Sequence, residues 1–280
     1  MTVAVIGLGA MGSRIAARLL DADQEIVVWN RSEEKAKALV DRGAALAESP
    51  ADAAARADAT ITMVTDPAAL EAVLEDVPPD STTLIQMSTV GPEAVARLRF
   101  PRLVDAPVLG SLAEAESGKL TIFAGGDDDL IQEWSPLLAQ LGRVAHVGGL
   151  GAASAAKLVA NATLVGMIAL LGESIALGAG LGLPRDVVFD VLATTPLAQQ
   201  AERRRVAIET GAYPPRFALS LARKDADLIL EAAERVAVDL RLVPEARRWL
   251  VDAEAAGLGA DDYAAVLAEI VDGVERRQPA

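Results

Sequence analysis

The chain has 280 residues, a formal net charge of −14, 52% apolar residues of which few are aromatic, and no cysteine. That length suits one large domain or two modest ones, and a core of Ala, Val and Leu favours helices and buried parallel strands. The acidity disfavours nucleic acid and anionic lipid as partners, and the missing thiols exclude disulfides, thiolate catalysis and cysteine-ligated zinc.

In chain order, Thr2–Ile6 is an apolar, β-branched run that reads as a strand, so no signal peptide is expected ahead of it. Gly7-Leu8-Gly9-Ala10-Met11-Gly12 follows, and Ser13 to Leu20 has helical spacing. Glu25–Trp29 reads as a second strand, and Ser32 as the N-cap of the next helix, with Glu33 and Glu34 in its first turn. Thr60 to Val64, Thr83 to Met87, Leu103 to Ala106 and Leu120 to Ala124 are further strands, with helical patterns such as Ala68 to Leu74 between them. Asp66-Pro67 and Asp127-Asp128-Asp129 read as helix starts, and no metal site is expected. Strand–helix alternation predicts an α/β doubly wound, mostly parallel sheet over residues 1–152.

After Gly151 the strands stop. Ala152 to about Gly180 reads as one long helix, followed by four or five more whose starts are marked by Pro184, Pro196, Pro244 and Asp261 and whose stops are marked by Gly182, Gly211 and Gly257. Residues 153–280 are therefore an all-α domain, its polar end from Arg276 expected to fray. The longest uncharged run, Leu158 to Gly172, is shorter than the roughly 20 residues a membrane span needs, so a cytoplasmic protein without membrane contact is expected. A helix apolar around most of its circumference needs cover on most sides, which predicts a homodimer or homotetramer.

Gly7, Gly9 and Gly12 form G-x-G-x-x-G directly after a strand and at the start of a helix, the context of a dinucleotide-binding turn. A glycine-rich turn without a ligand is the plainer alternative. An NAD site usually places a carboxylate at the end of the second strand. Here stand Asn30, Arg31 and Ser32. None repels a 2′-phosphate, and Arg31 can grip one, so NADP(H) is expected in preference to NAD(H).

Residue types then narrow the hydride chemistry. A Tyr-x-x-x-Lys pair is absent, because Tyr213 and Tyr263 are followed four positions later by Phe217 and Leu267. His146, the only histidine, reads as a packed structural residue at a strand end. Lys157 and Asn161 lie four apart on the long helix, just past Gly148-Gly149-Leu150-Gly151, among small apolar residues. Lys157 can exchange a proton with the oxygen of a small carbonyl or alcohol substrate, and Asn161 can orient it. A solvated helix face is the alternative.

The glycine motif, Asp105-Ala106-Pro107-Val108 with Gly110 and Gly118, the Lys157…Asn161 helix and Lys224-Asp225 together resemble the β-hydroxyacid dehydrogenases, in order and spacing from residue 3 to about residue 270. The resemblance implies a Rossmann domain followed by an all-helical domain like that of 6-phosphogluconate dehydrogenase. It implies Lys157 as catalytic lysine, Asn161 as substrate-orienting residue, and Lys224, supported by Asp225, over nicotinamide and substrate. Val64, Thr65 and Thr89 would lie along the cofactor. Leu109 stands where the family usually has serine, so only backbone N–H groups at Gly110 and Ser111 would remain for a substrate carboxylate. Phe217 would line the substrate cleft or belong to the core. Imine reductases share the architecture and form the second reading; a non-catalytic NADPH-binding protein is the third.

Overall fold

The computed structural model describes residues 1–275, so the polar end from Arg276 lies outside the described residues. It divides into two compact units, one of residues 1–158 and one beginning at Val159. The first contains β1 (Thr2–Ile6), α1 (Ala10–Asp21), β2 (Glu25–Trp29), α2 (Lys37–Val40), β3 (Ala45–Leu46), α3 (Pro50–Ala55), β4 (Ala59–Thr62), α4 (Pro67–Leu74), β5 (Thr83–Gln86), α5 (Gly91–Arg97) and β6 (Leu103–Asp105). It continues through β7 (Val108–Leu109), α6 (Leu112–Glu116), β8 (Leu120–Gly125), α7 (Asp128–Leu138), β9 (Gly142–Gly148) and the start of α8 (Ala152–Gly180).

Strands β3-β2-β1-β4-β5-β6 run parallel in that order, the arrangement of a doubly wound dinucleotide-binding sheet. β8 turns antiparallel to β6, and β9 is parallel to β8. The central strands are buried on both faces: Val3, Val5, Ile61 and Ile85 are fully covered on one, in a cluster with Ile15 and Leu19 of α1, and Ala4 and Ile6 are fully covered on the other. That double burial explains the continuous apolar runs in the sequence. Asp66 and Asp127 each cap a helix, accepting from Ala69 N and from Asp129 N and Leu130 N.

β7 is in effect a continuation of β6. Asp105 pairs with Gly125, Val108 with Ile122 and Leu109 with Thr121, so the chain runs on four residues past Asp105. At ~3.3 Å per residue it projects roughly 13 Å beyond the carboxyl edge of the parallel strands. α6 then folds back against α1, tied by the 2.7 Å Arg14–Glu116 ion pair.

The second unit continues α8 and adds α9 (Arg185–Leu192), α10 (Ala198–Thr210), α11 (Leu219–Arg235), α12 (Leu242–Ala253) and α13 (Val266–Glu275). Its core holds Leu171, Ile175, Phe189, Leu250, Leu267 and Ile270. Gly172 allows close approach here, because a Cβ on it would meet Ile270 Cδ1 at 2.7 Å. Gly211 ends α10 in the left-handed conformation (φ 69°), as its type suggested. Pro244 falls in the first turn of α12, two residues later than a start at that proline requires. The start of α11 at Leu219 carried no sequence signal. α8, at 29 residues, is long and apolar enough to cross a membrane by length and composition, although the uncharged run within it is shorter. Half of its most apolar window is buried within the structure.

Candidate active site

The glycine turn is built for close approach. Gly7 has φ 98°, and a Cβ there would meet the Met63 carbonyl oxygen at 2.4 Å. A Cβ on Gly12 would meet the Gly7 carbonyl oxygen at 1.9 Å, so α1 and β1 pack only through glycine. Gly9 differs: nothing lies within 4 Å of its Cβ position, and it is exposed with Ala10. No side chain caps α1. The first-turn N–H groups at Ala10, Met11 and Gly12 thus stand at an open helix start of positive potential, which fits a pyrophosphate. Leu8 is buried, and its N–H is spent on Asn30.

Asn30 is a brace at the end of β2. Its Oδ1 accepts from Leu8 N at 2.9 Å, and its Nδ2 donates to the Ser32 carbonyl at 3.0 Å. Arg31 and Ser32 are exposed beside it. Ser32 departs from expectation: a 3-10 turn over Glu33–Ala36 follows it in place of an α-helix, and its side chain makes no capping bond. The hydroxyl is therefore not committed to a helix end. Val64 is half-buried with its N–H on Ser88 Oγ at 2.8 Å, Thr65 is exposed, and Thr89 is half-buried. All follow the carboxyl ends of β4 and β5, where ligands of such sheets bind.

Lys157 lies in the second turn of α8 and is only 9% exposed. Asp105 fixes the start of that helix. This carboxylate, fully buried at the end of β6, accepts from Ser154 N at 2.8 Å and Ser154 Oγ at 2.7 Å. Burial raises its pKa to about 6, while bonds from the Ser154 hydroxyl and amide and the Gly151 amide hold it back from rising further. Lys157 is thereby held near the carboxyl edge of the sheet, within the unit that carries the glycine turn.

In the helical unit, Asn161, Lys224 and Asp225 come together. Buried Asp225 accepts from Asn161 Nδ2 at 2.7 Å and pairs with Lys224 Nζ at 2.7 Å. Asn161 follows Lys157 by about one turn of the same helix. Phe217 packs on the helical core with its ring 5.8 Å from that of Tyr263.

Two further expectations are corrected. The Ser111 N–H, expected to remain for a substrate carboxylate, donates to Glu114 Oε2 at 2.8 Å, and the Ser111 hydroxyl donates to the same oxygen. The chain's own carboxylate takes these donors because Ser111 and Glu114 form a reciprocal capping box at the start of α6. Leu109 is half-buried and Gly110, at φ 147°, is backed by Leu120 and Glu114. His146, expected to be packed, is exposed on β9, which among the described residues pairs only with β8; its Nε2 lies 3.2 Å from the Gly148 carbonyl. Sequence reasoning missed the roles of Asp105 and Glu114. Ser-x-x-Glu was a legible capping signal, whereas nothing local tied Asp105 to Ser154, 49 residues on.

Residues 2–149 match the family profile of the NAD-binding domain of 6-phosphogluconate dehydrogenase, and residues 151–270 match that of the NAD-binding domain of NADP-dependent 3-hydroxyisobutyrate dehydrogenase. The chain is 31% identical over 281 residues to glyoxylate/succinic semialdehyde reductase 1 of Arabidopsis thaliana, covering 95% of this chain and 97% of that protein. A solved structure of 3-hydroxyisobutyrate dehydrogenase from Salmonella typhimurium is similar at TM-score 0.82 and 26% identity, covering 96% and 99% of the two chains. An imine reductase from Pseudomonas sp. is similar at TM-score 0.63 and 26% identity, covering 95% and 98%.

Proposed function

The chain belongs to the β-hydroxyacid dehydrogenase family of NAD(P)-dependent oxidoreductases acting on CH–OH or C=O groups, and from that premise we propose an NADPH-preferring reductase of small carbonyl compounds with Lys157 as general acid. The observation that carries the reading is a lysine 9% exposed on a helix whose first turn is clamped by Asp105. Lysines are rarely this buried, and burial with a fixed helix start holds the ammonium in one place.

When bound, the dinucleotide supplies the hydride. Lys157 gives its Nζ proton to the carbonyl oxygen as the carbon is reduced, so the product leaves as an alcohol and not as an alkoxide. In the reverse direction the neutral amine takes the hydroxyl proton. Asn161, braced by Asp225, offers its remaining amide hydrogen to orient the same oxygen. Arg31 and Ser32 offer a guanidinium and a hydroxyl to a 2′-phosphate.

Homo-oligomerisation and a cytoplasmic setting belong to the same proposal. The support for the first is an apolar stripe on α8: Val159, Leu170, Leu177 and Leu181 at its end are exposed at helical spacing.

The test is Lys157→Ala. NADPH binding, read by fluorescence, is expected to persist, while kcat for aldehydes falls at least about a hundredfold, the lower end of general acid effects. Undiminished turnover would sink the assignment. The second reading, imine reduction, draws support from the missing hydroxyl at Leu109; oxidation of NADPH by cyclic imines but by no aldehyde would favour it.

A further inference from the structure

Resting on the reductase reading above, we infer that the substrate of this chain carries no carboxylate at the end that faces residues 109–111, and that this end is neutral or cationic. The specificity-determining residue is Glu114.

Position comes first. The β6–β7 extension carries Leu109 and Gly110 past the carboxyl edge of the parallel sheet, and α6 lies against α1, the helix opened by the glycine turn. Asp105, at the root of that extension, holds the first turn of the helix bearing Lys157. Ser111 and Glu114 therefore stand on the ligand side of the nucleotide-binding unit, on the strand extension that leaves the Lys157 anchor.

Chemistry comes second. An anionic substrate end needs donors and tolerates no neighbouring anion. Here both Ser111 donors converge on one oxygen of Glu114. The arrangement is locked. A Cβ on Gly110 would meet Glu114 Cβ at 3.2 Å and Leu120 Cδ2 at 2.7 Å, so the base of Glu114 and the turn fill each other's space. Leu109, just before, presents an apolar surface. A second carboxylate arriving there would find both Ser111 donors taken, a like charge beside it and a hydrocarbon wall. A neutral chain would meet the leucine, and an ammonium or iminium would meet the carboxylate favourably. The similar Arabidopsis protein is named for glyoxylate and succinic semialdehyde, both anions at neutral pH, so the substrate inferred here differs in class from the ones in that name.

The test compares butanal with succinic semialdehyde, which differ chiefly by a terminal carboxylate, as substrates with NADPH. The wild type is expected to favour butanal in kcat/KM by at least about tenfold, or about 1.4 kcal/mol. Glu114→Gln, which keeps the reach to Ser111, and Glu114→Ala are each expected to shrink that ratio by about tenfold or more without changing the KM for NADPH. A wild type that favours succinic semialdehyde, or a ratio unmoved in both variants, overturns the inference. If neither aldehyde is reduced, the reductase reading fails separately. Calorimetry on the NADP+ complex then decides the charge question: tighter binding of succinate than of butanamide overturns it, and succinate binding gained only in Glu114→Ala supports it.

Discussion

Arg31 stands exposed just past the end of β2, and no carboxylate is next to it in sequence on either side. A guanidinium bonded to a phosphate is worth about 1.5–3 kcal/mol as a charge-assisted contact. Arg31→Ala is therefore expected to raise the KM for NADPH by roughly ten- to a hundredfold and to leave that for NADH within about twofold. Steady-state kinetics with both cofactors checks it, and equal increases would remove the assignment. At this scale much was legible. The three glycines, Lys157 and Asn161 stand out as candidates by type and spacing, because a turn that excludes Cβ atoms and a lysine among alanines are local facts. Asn30 was legible only by position. That its amide is consumed in bracing the Leu8 N–H is a contact across 22 residues, which no local pattern encodes.

At the scale of elements, the Asp105–Ser154 clamp has a pH signature. Its pKa in the fold, about 6, lies above the ordinary carboxylate value of 3.8. The folded state thus holds the proton more tightly than the unfolded chain. The stability this group contributes is full below about pH 4 and is lost as pH rises through 6, a change of about 3 kcal/mol. Asp105→Asn removes the titration while keeping one acceptor for Ser154. The variant is expected to lose stability by a constant amount from the broken second bond, yet to gain on the wild type in Tm between about pH 4 and pH 7, with the difference level above that. A Tm difference independent of pH would show that Asp105 does not titrate in this range. The element pattern itself was largely readable, since doubly covered strands leave continuous apolar runs. β3 and β7 escaped because two residues make no period. β7 exists only because β8 turns back beside it.

At the scale of the whole molecule, the exposed side chains of α8 set the expectation. Val159 and Leu177 remain 69% and 64% exposed, and Leu181, just beyond the helix, 71%. A stripe this apolar on a chain of charge −14 is suited to burial against a second copy, where closed symmetry pairs it with itself. Light scattering on the intact protein is expected to return a dimer or tetramer, and Leu177→Glu with Leu181→Glu to shift it toward monomer; a wild-type monomer would end the idea. Nothing in sequence spacing alone separated this outward stripe from the inward one, because both are apolar. Only the packed fold shows which side is left uncovered.

Val159 follows Lys157 by two positions on one continuous rod. The scaffold that holds the proposed proton donor is then the same scaffold that subunits would grip, so concentration itself would become a control on turnover. Progressive dilution should bring a fall in specific activity that excess cofactor does not restore.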